Sequence, residues 1–262
     1  MFTLDLKIKE NIIYTIFIHG IAIVGSSAQK LKTKKSDIDM NIIFSYYLKD
    51  RESLNFNGRK NISSKTIVNK DEVLTKIKKY LNLNYELEDV MFFESSDFCS
   101  LLLKNDPNIL DSVQPKNVIY KTNQFDSLIK SRSLFFSKKQ LSDRIIGMST
   151  SLIKRDYKNF KIKKDEYRKN KSISRALFNL YILKQSLSSG KYISYLKNEN
   201  EQNEILEIRK GNFNENELLL KIEELKKELK SINIKSKTFN FEKIDKLVIR
   251  LSLFELSNIL IK

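Results

Sequence analysis

Asp37 and Asp39 stand one residue apart in the segment Ser36-Asp37-Ile38-Asp39-Met40-Asn41-Ile42-Ile43-Phe44, which begins by alternating polar and apolar residues as a half-buried strand does. On a strand, residues i and i+2 project to the same side, with Cα atoms about 7 Å apart at a rise of roughly 3.3 Å per residue. Two carboxylates so placed could converge on hard divalent cations such as Mg2+, which take oxygen ligands. A pair of such ions about 3.5–4 Å apart can activate an attacking oxygen and shield a triphosphate. A third carboxylate from a neighbouring strand would complete the site. Asp89 lies near Glu86, Glu88 and Glu94 in sequence, and spacing alone leaves the choice among them open. Alternation puts Asp89 and Glu88 on opposite faces, so only one of those two can join the pair.

Ten residues separate Gly25-Ser26 from Asp37. A glycine there permits close approach of backbone to a ligand, and the Ser26 hydroxyl with nearby N–H groups can bond phosphate oxygens. Lys30, Lys32, Lys34 and Lys35 lie between the two motifs. They could steer a triphosphate or an RNA strand towards metals, and solvated loop lysines are an equally good reading.

These residues need elements to hold them. Residues 12–17 and 21–24 are β-branched and apolar, and the second run leads straight into Gly25-Ser26, which reads as a strand and a turn. Residues 51–64, rich in Asn, Gly and Ser, read as a loop or hairpin excursion. Val73, Leu74, Ile77 and Leu81 have helical spacing, and residues 87–93 form a third strand candidate containing Asp89. Asp97 could cap or begin a helix through Phe98 and Leu101 to Leu103, with Pro107 closing it. Beyond about Asn123 the segments 141–153, 174–187, 215–229 and 241–260 are long and amphipathic. The expected fold is α+β: a mixed sheet with flanking helices over residues 1–125, then a helical domain over 126–262. His19 in its apolar run reads as a hydrogen-bonded core imidazole, and Cys99 as packing. Tyr192 and Tyr195 beside Lys191 could stack a base, against the plainer reading of core or surface aromatics.

Composition bounds the partners. Hydrophobic residues make up 41% and aromatics 10%, a globular balance that excludes a disordered chain. No apolar run approaches the ~20 residues needed to span a bilayer. Charged residues before the first apolar stretch argue against a secretory signal, and the single cysteine fits a reducing compartment. A cytoplasmic location is expected. The net charge of +16 would favour a polyanion such as RNA, although the richness in Lys, Asn and Ile is also what an AT-rich genome produces.

The Gly-Ser and Asp-x-Asp motifs on a strand-turn-strand background resemble the signature of the DNA polymerase β-like nucleotidyltransferases. The chain is further similar to the RNA repair pathway DNA polymerase β family, in which Gly-Ser-Arg leads to Ser-Asp-x-Asp, a strand with an acidic residue, and a Leu-rich helix ending in Lys-x-Asn-Pro. Here stand Gly25-Ser26, Ser36-Asp37-Ile38-Asp39, Glu88-Asp89-Val90, and Leu101-Leu102-Leu103-Lys104-Asn105-Asp106-Pro107. Ser27 and Lys30 depart from the family's Arg and Gly, and Arg175 and Phe178 stand where its first long C-terminal helix carries His and Arg.

The resemblance implies an enzyme that transfers NMP from an NTP to an acceptor hydroxyl, foremost an RNA or tRNA 3′ end, using two Mg2+ ions or Mn2+ in their place. It implies Asp37 and Asp39 as ligands of both metals, and Asp89 as a ligand of the catalytic one that helps deprotonate the acceptor. Gly25, Ser26, Lys35 and Ser36 would face the nucleotide. Two other readings stay open: transfer of AMP or UMP to a protein or small molecule, and a catalytically silent nucleic-acid-binding regulator with the same fold.

Overall fold

The computed structural model describes residues 2–9, 12–29, 31, 38–47, 61–84, 87 and 89–252. Among them, β1 (Thr3–Lys9), β2 (Ile12–Val24), β3 (Asp39–Tyr46), β4 (Asn61–Ser63) and β5 (Asp89–Glu94) form one sheet in the order β1-β2-β3-β5-β4, and β6 (Val118–Lys121) pairs with β2. β3 and β5 run parallel, and the other pairs are antiparallel. The runs expected at 12–17 and 21–24 are one strand, bulged at His19, where the pairing with β3 shifts register. The first half of β2 pairs with β1 and the second with β6. Gly20, next to the bulge, has the Phe125 ring against it: a Cβ there would lie 2.3 Å from a ring carbon. His19 is fully buried with Nε2 2.8 Å from Ser45 Oγ, and burial pushes its pKa down to about 3, so it is a neutral core imidazole as expected.

The helices in chain order are α1 (Gly25–Ala28), α2 (Lys70–Leu81), α3 (Ser95–Leu103), α4 (Pro107–Ser112), α5 (Asn123–Lys130), α6 (Lys138–Ser151), α7 (Lys158–Ile162), α8 (Glu166–Ser189), α9 (Glu199–Lys210), α10 (Glu215–Ser231) and α11 (Phe241–Ser252). A π-helical turn, Leu152–Tyr157, joins α6 to α7. Alternation along the strands divides the core in two. Met40, Ile42, Phe44, Val90 and Phe92 face α2 and pack with Val73 and Ile77. Ile43 and Phe93 belong to the second cluster, which runs through the helices to Leu251. At its centre lies α8, buried along most of its length from Asn170 to Leu187 and packed against α6, α9 and α10.

The architecture is α+β, a mixed sheet flanked by helices and followed by a region in which every described element from α6 onward is helical. The division expected at 125/126 falls within α5. Two local readings are corrected. The cap of α3 is Glu94, whose Oε2 accepts from the Ser96 and Asp97 backbone N–H groups; a carboxylate one residue before the helix reaches its orphan donors, which Asp97 inside the first turn does not. Pro107 opens α4 at its first turn with Asp106 as cap, because a proline lacks only an N–H that position leaves unused. Several described elements went unforeseen, among them β1, β6, α4, α5, α7 and α9. In α9 only Ile205 and Ile208 are buried, so its apolar stripe is thin.

Candidate active site

On β3 the residues left over from the α2 face are Asp39, Asn41, Ile43 and Ser45, and on β5 they are Asp89, Met91 and Phe93. Asp39 and Asp89 are register partners in the parallel ladder. Neighbouring strands lie about 4.8 Å apart, so the two carboxylates emerge side by side on the helical face. Val24, opposite Asp39 on β2, is extended; Gly25 then turns the chain with φ 65° into α1, and Gln29 N–H donates to Gly25 O at 3.1 Å. A Cβ on Gly25 would stand 2.3 Å from Asp39 Oδ2. The glycine thus supplies a left-handed backbone and leaves the space that the aspartate carboxylate occupies.

A cleft of about 490 Å³ opens over these residues. Gly25, Ser26, Asp39 and Asp89 line its sheet side, and Lys171 and Arg175 of α8 and Arg209 of α9 line the other. Lys65 stands at Asp89 with an ammonium to carboxylate distance of 2.6 Å, half of that carboxylate being exposed. Asn41 Nδ2 donates to Ser112 Oγ at 2.9 Å and fastens the sheet to α4. Arg175 Nη2 donates to Asn108 Oδ1 at 3.1 Å, and Arg209 Nη1 to the Leu31 carbonyl at 2.7 Å. Burial lowers the pKa of Arg209, and the neighbouring Arg175 lowers it further. Two guanidiniums held together, one of them largely desolvated, are costly unless an anion shares the space. Arg209 Nε is buried without a hydrogen-bond partner among the described residues. Among the described residues, four cations face the carboxylates Asp39 and Asp89, an arrangement suited to a polyphosphate.

Of the residues singled out by sequence, Gly25, Ser26, Asp39 and Asp89 meet in this cleft. Asp37, Ser36, Lys35, Lys30, Lys32, Lys34, Glu86 and Glu88 lie outside the described residues. Among the described residues no cluster of three His, Cys, Asp or Glu side chains could hold a metal; Asp39 and Asp89 form a pair of hard oxygen donors, to which Asp37 would be the third. Ser27 does not line the cleft, Arg175 does, and Phe178 is core. Asn41 was legible, since it follows Asp39 at the strand period. Lys171 and Arg175, at i and i+4, share a helix face whose neighbours Ile173, Ala176 and Leu177 are buried, a signal that sequence could have offered. Lys65 and Arg209 carry none.

Behind the cleft, Asp111 of α4 is fully buried: Tyr192 Oη donates to its Oδ1 at 2.8 Å, and Gln29 Nε2 approaches Oδ2 at 3.3 Å. Burial raises its pKa to about 7, and these two hydrogen bonds only partly oppose that. A raised acid binds its proton more tightly in the fold than in the unfolded chain. Its contribution to stability is therefore full below pH 4 and is lost as pH rises towards about 7. Asp111→Asn, which keeps the shape without the charge, is expected to gain stability over wild type between those pH values, by a few kcal/mol in order of magnitude. Urea unfolding of both proteins across that range checks it; parallel curves would mean that Asp111 does not titrate there.

No family model matches the chain, and no curated protein matches it. Among solved structures it is similar to a nucleotidyltransferase-like protein from Exiguobacterium sibiricum 255-15, with 13% sequence identity and a TM-score of 0.33, over 82% of this chain and 69% of that one.

Proposed function

We propose that the chain is a metal-dependent nucleotidyltransferase that moves NMP from an NTP to an acceptor hydroxyl, with an RNA 3′ end as acceptor. The observation that carries this reading is the in-register pair Asp39 and Asp89 beside the Gly25 turn, under a wall of cations. In this reading Asp39, Asp89 and Asp37 hold Mg2+, or Mn2+ in its place, which when bound supplies an activated attacking oxygen and charge neutralisation at the triphosphate. Gly25 and Ser26, with Lys35 and Ser36 from the same connection, face the phosphates from the sheet side. Lys171, Arg175 and Arg209 face them from the helices and offset the charge that builds on the leaving pyrophosphate. The acceptor oxygen bonds to the α-phosphorus, the α–β bridging P–O bond breaks, and Asp89 takes up the hydroxyl proton.

The net charge of +16 supports a nucleic-acid acceptor over a small molecule. Incubating the full chain with each labelled NTP, Mg2+ and total RNA is expected to place label in RNA, with release of pyrophosphate and complete loss on chelation. Label entering protein alone would move the acceptor to a polypeptide. No transfer from any NTP with either metal would sink the enzymatic reading.

A further inference from the structure

We propose that a basic trough on the far side of α4 from the cleft binds single-stranded nucleic acid. It stands whether or not the cleft transfers nucleotides, because none of its residues lines the cleft. Its first part, a cavity of about 560 Å³, carries Lys116, Lys130, Arg132, Lys191 and Lys197 on its wall. A second cavity shares Ser133, Phe136 and Gly190 with the first and adds Lys138, Lys235 and Lys237. No carboxylate lines either cavity among the described residues. One of the trough's cations, Lys130, is paired at 2.7 Å with Asp126, which does not line the cavity, and on the rest of the helical surface such pairs recur, as in Lys161 with Glu215, Lys169 with Glu166 and Lys221 with Glu204.

The layout fits a polymer better than a compact phosphate ligand. A small anion is held by cations that converge on one point; here they are spread along two joined cavities. Several are held in place by the fold. Lys237 Nζ donates to the Ser133 carbonyl at 2.7 Å and the Phe136 carbonyl at 3.0 Å, Lys138 Nζ to Leu187 O at 2.9 Å, and Arg132 Nη1 to Ile129 O at 2.9 Å. Lys191, Lys197 and Lys235 are exposed. Apolar faces are interleaved with this charge: Phe136 and Tyr195 are half-buried at the wall, and the Lys116 ammonium sits 3.2 Å from the Tyr195 ring centroid. Cations that follow a backbone, with rings for bases to stack on, are what a single strand requires. Tyr192 is not one of these rings, since it is buried on Asp111. The trough and the cleft share α4 as their partition: Asn108 faces the cleft and Leu110 the trough, roughly one helix diameter, about 10 Å, apart.

The test is fluorescence anisotropy of the full chain with a labelled oligouridylate of roughly 12 nucleotides over a series of salt concentrations. Lys191→Gln, Lys197→Gln and Lys235→Gln combined are expected to weaken binding more than tenfold and to reduce the log–log salt slope by about 2, three phosphates at roughly 0.7 each. Tyr195→Leu, which keeps apolar bulk without a ring, is expected to weaken binding at least about fivefold with the slope unchanged. The control removes equal charge at Lys79, Lys154 and Lys158, exposed lysines that do not line the trough. Equal losses from the two triple variants would show a response to net charge alone and overturn the proposal. So would equal affinity for inorganic polyphosphate of the same charge, which has no bases, or no binding of the oligonucleotide by wild type.

Discussion

Asp39→Ala is expected to lower nucleotide transfer at least about a thousandfold, equivalent to roughly 4 kcal/mol of lost transition-state stabilisation. Asp39 stands at the point where β2, β3 and β5 meet, opposite Val24 and in register with Asp89. Its removal deletes a carboxylate adjacent to Asp89, so in the proposed reading the loss falls on cation binding and on the orientation of the phosphates. Folding should be almost untouched, because the apolar residues on either side of it, Ile38 and Met40, carry the packing. The same loss is expected of Asp37→Ala, on the resemblance alone. Labelled NTP incorporation, read beside a urea unfolding curve, separates the two effects. Transfer at the wild-type rate by a folded Asp39→Ala protein would remove this residue from the chemistry.

Gly25→Ala is expected to cost about a hundredfold in transfer and roughly 1–2 kcal/mol in stability. The second figure is the cost of a Cβ at left-handed φ, here 65°. The first follows from geometry: the new methyl would stand 2.3 Å from Asp39 Oδ2, so the carboxylate must move, and a displacement of about 1 Å at a reacting centre costs on that order. Gly211→Ala provides the comparison. Gly211 also has a left-handed φ, 96°, but closes α9 and meets only the end of the Asn170 side chain, at 3.2 Å. It should lose comparable stability and keep its transfer rate. If Gly25→Ala kept its rate as well, the Asp39 carboxylate would not need its present position, and the argument for the motif as one unit would fall.

Much of this was legible in the sequence because short-range rules govern it. A strand has a period of two residues, so the order Asp39-Met40-Asn41-Ile42 already divides polar from apolar faces, and the structure puts Met40 and Ile42 in one core and Asp39 and Asn41 towards the other side. Gly25 ahead of the aspartate strand marked a turn, and the amphipathic segments after residue 123 marked helices, since 3.6-residue periodicity needs no knowledge of the partner. The α+β class follows from those patterns. What tertiary structure decided is which distant residues meet. Parallel pairing of β3 with β5 puts Asp89 beside Asp39 across fifty residues of chain, and neither strand's own pattern specifies its neighbour or its register. Arg209 and Lys65 reach the cleft only because α9 packs on α8 and β4 on β5, and a surface-type cation carries no local mark of its destination. The same holds for the trough: its lysines come from separate helices and connections, and sequence recorded their number while only the packing set them along one wall.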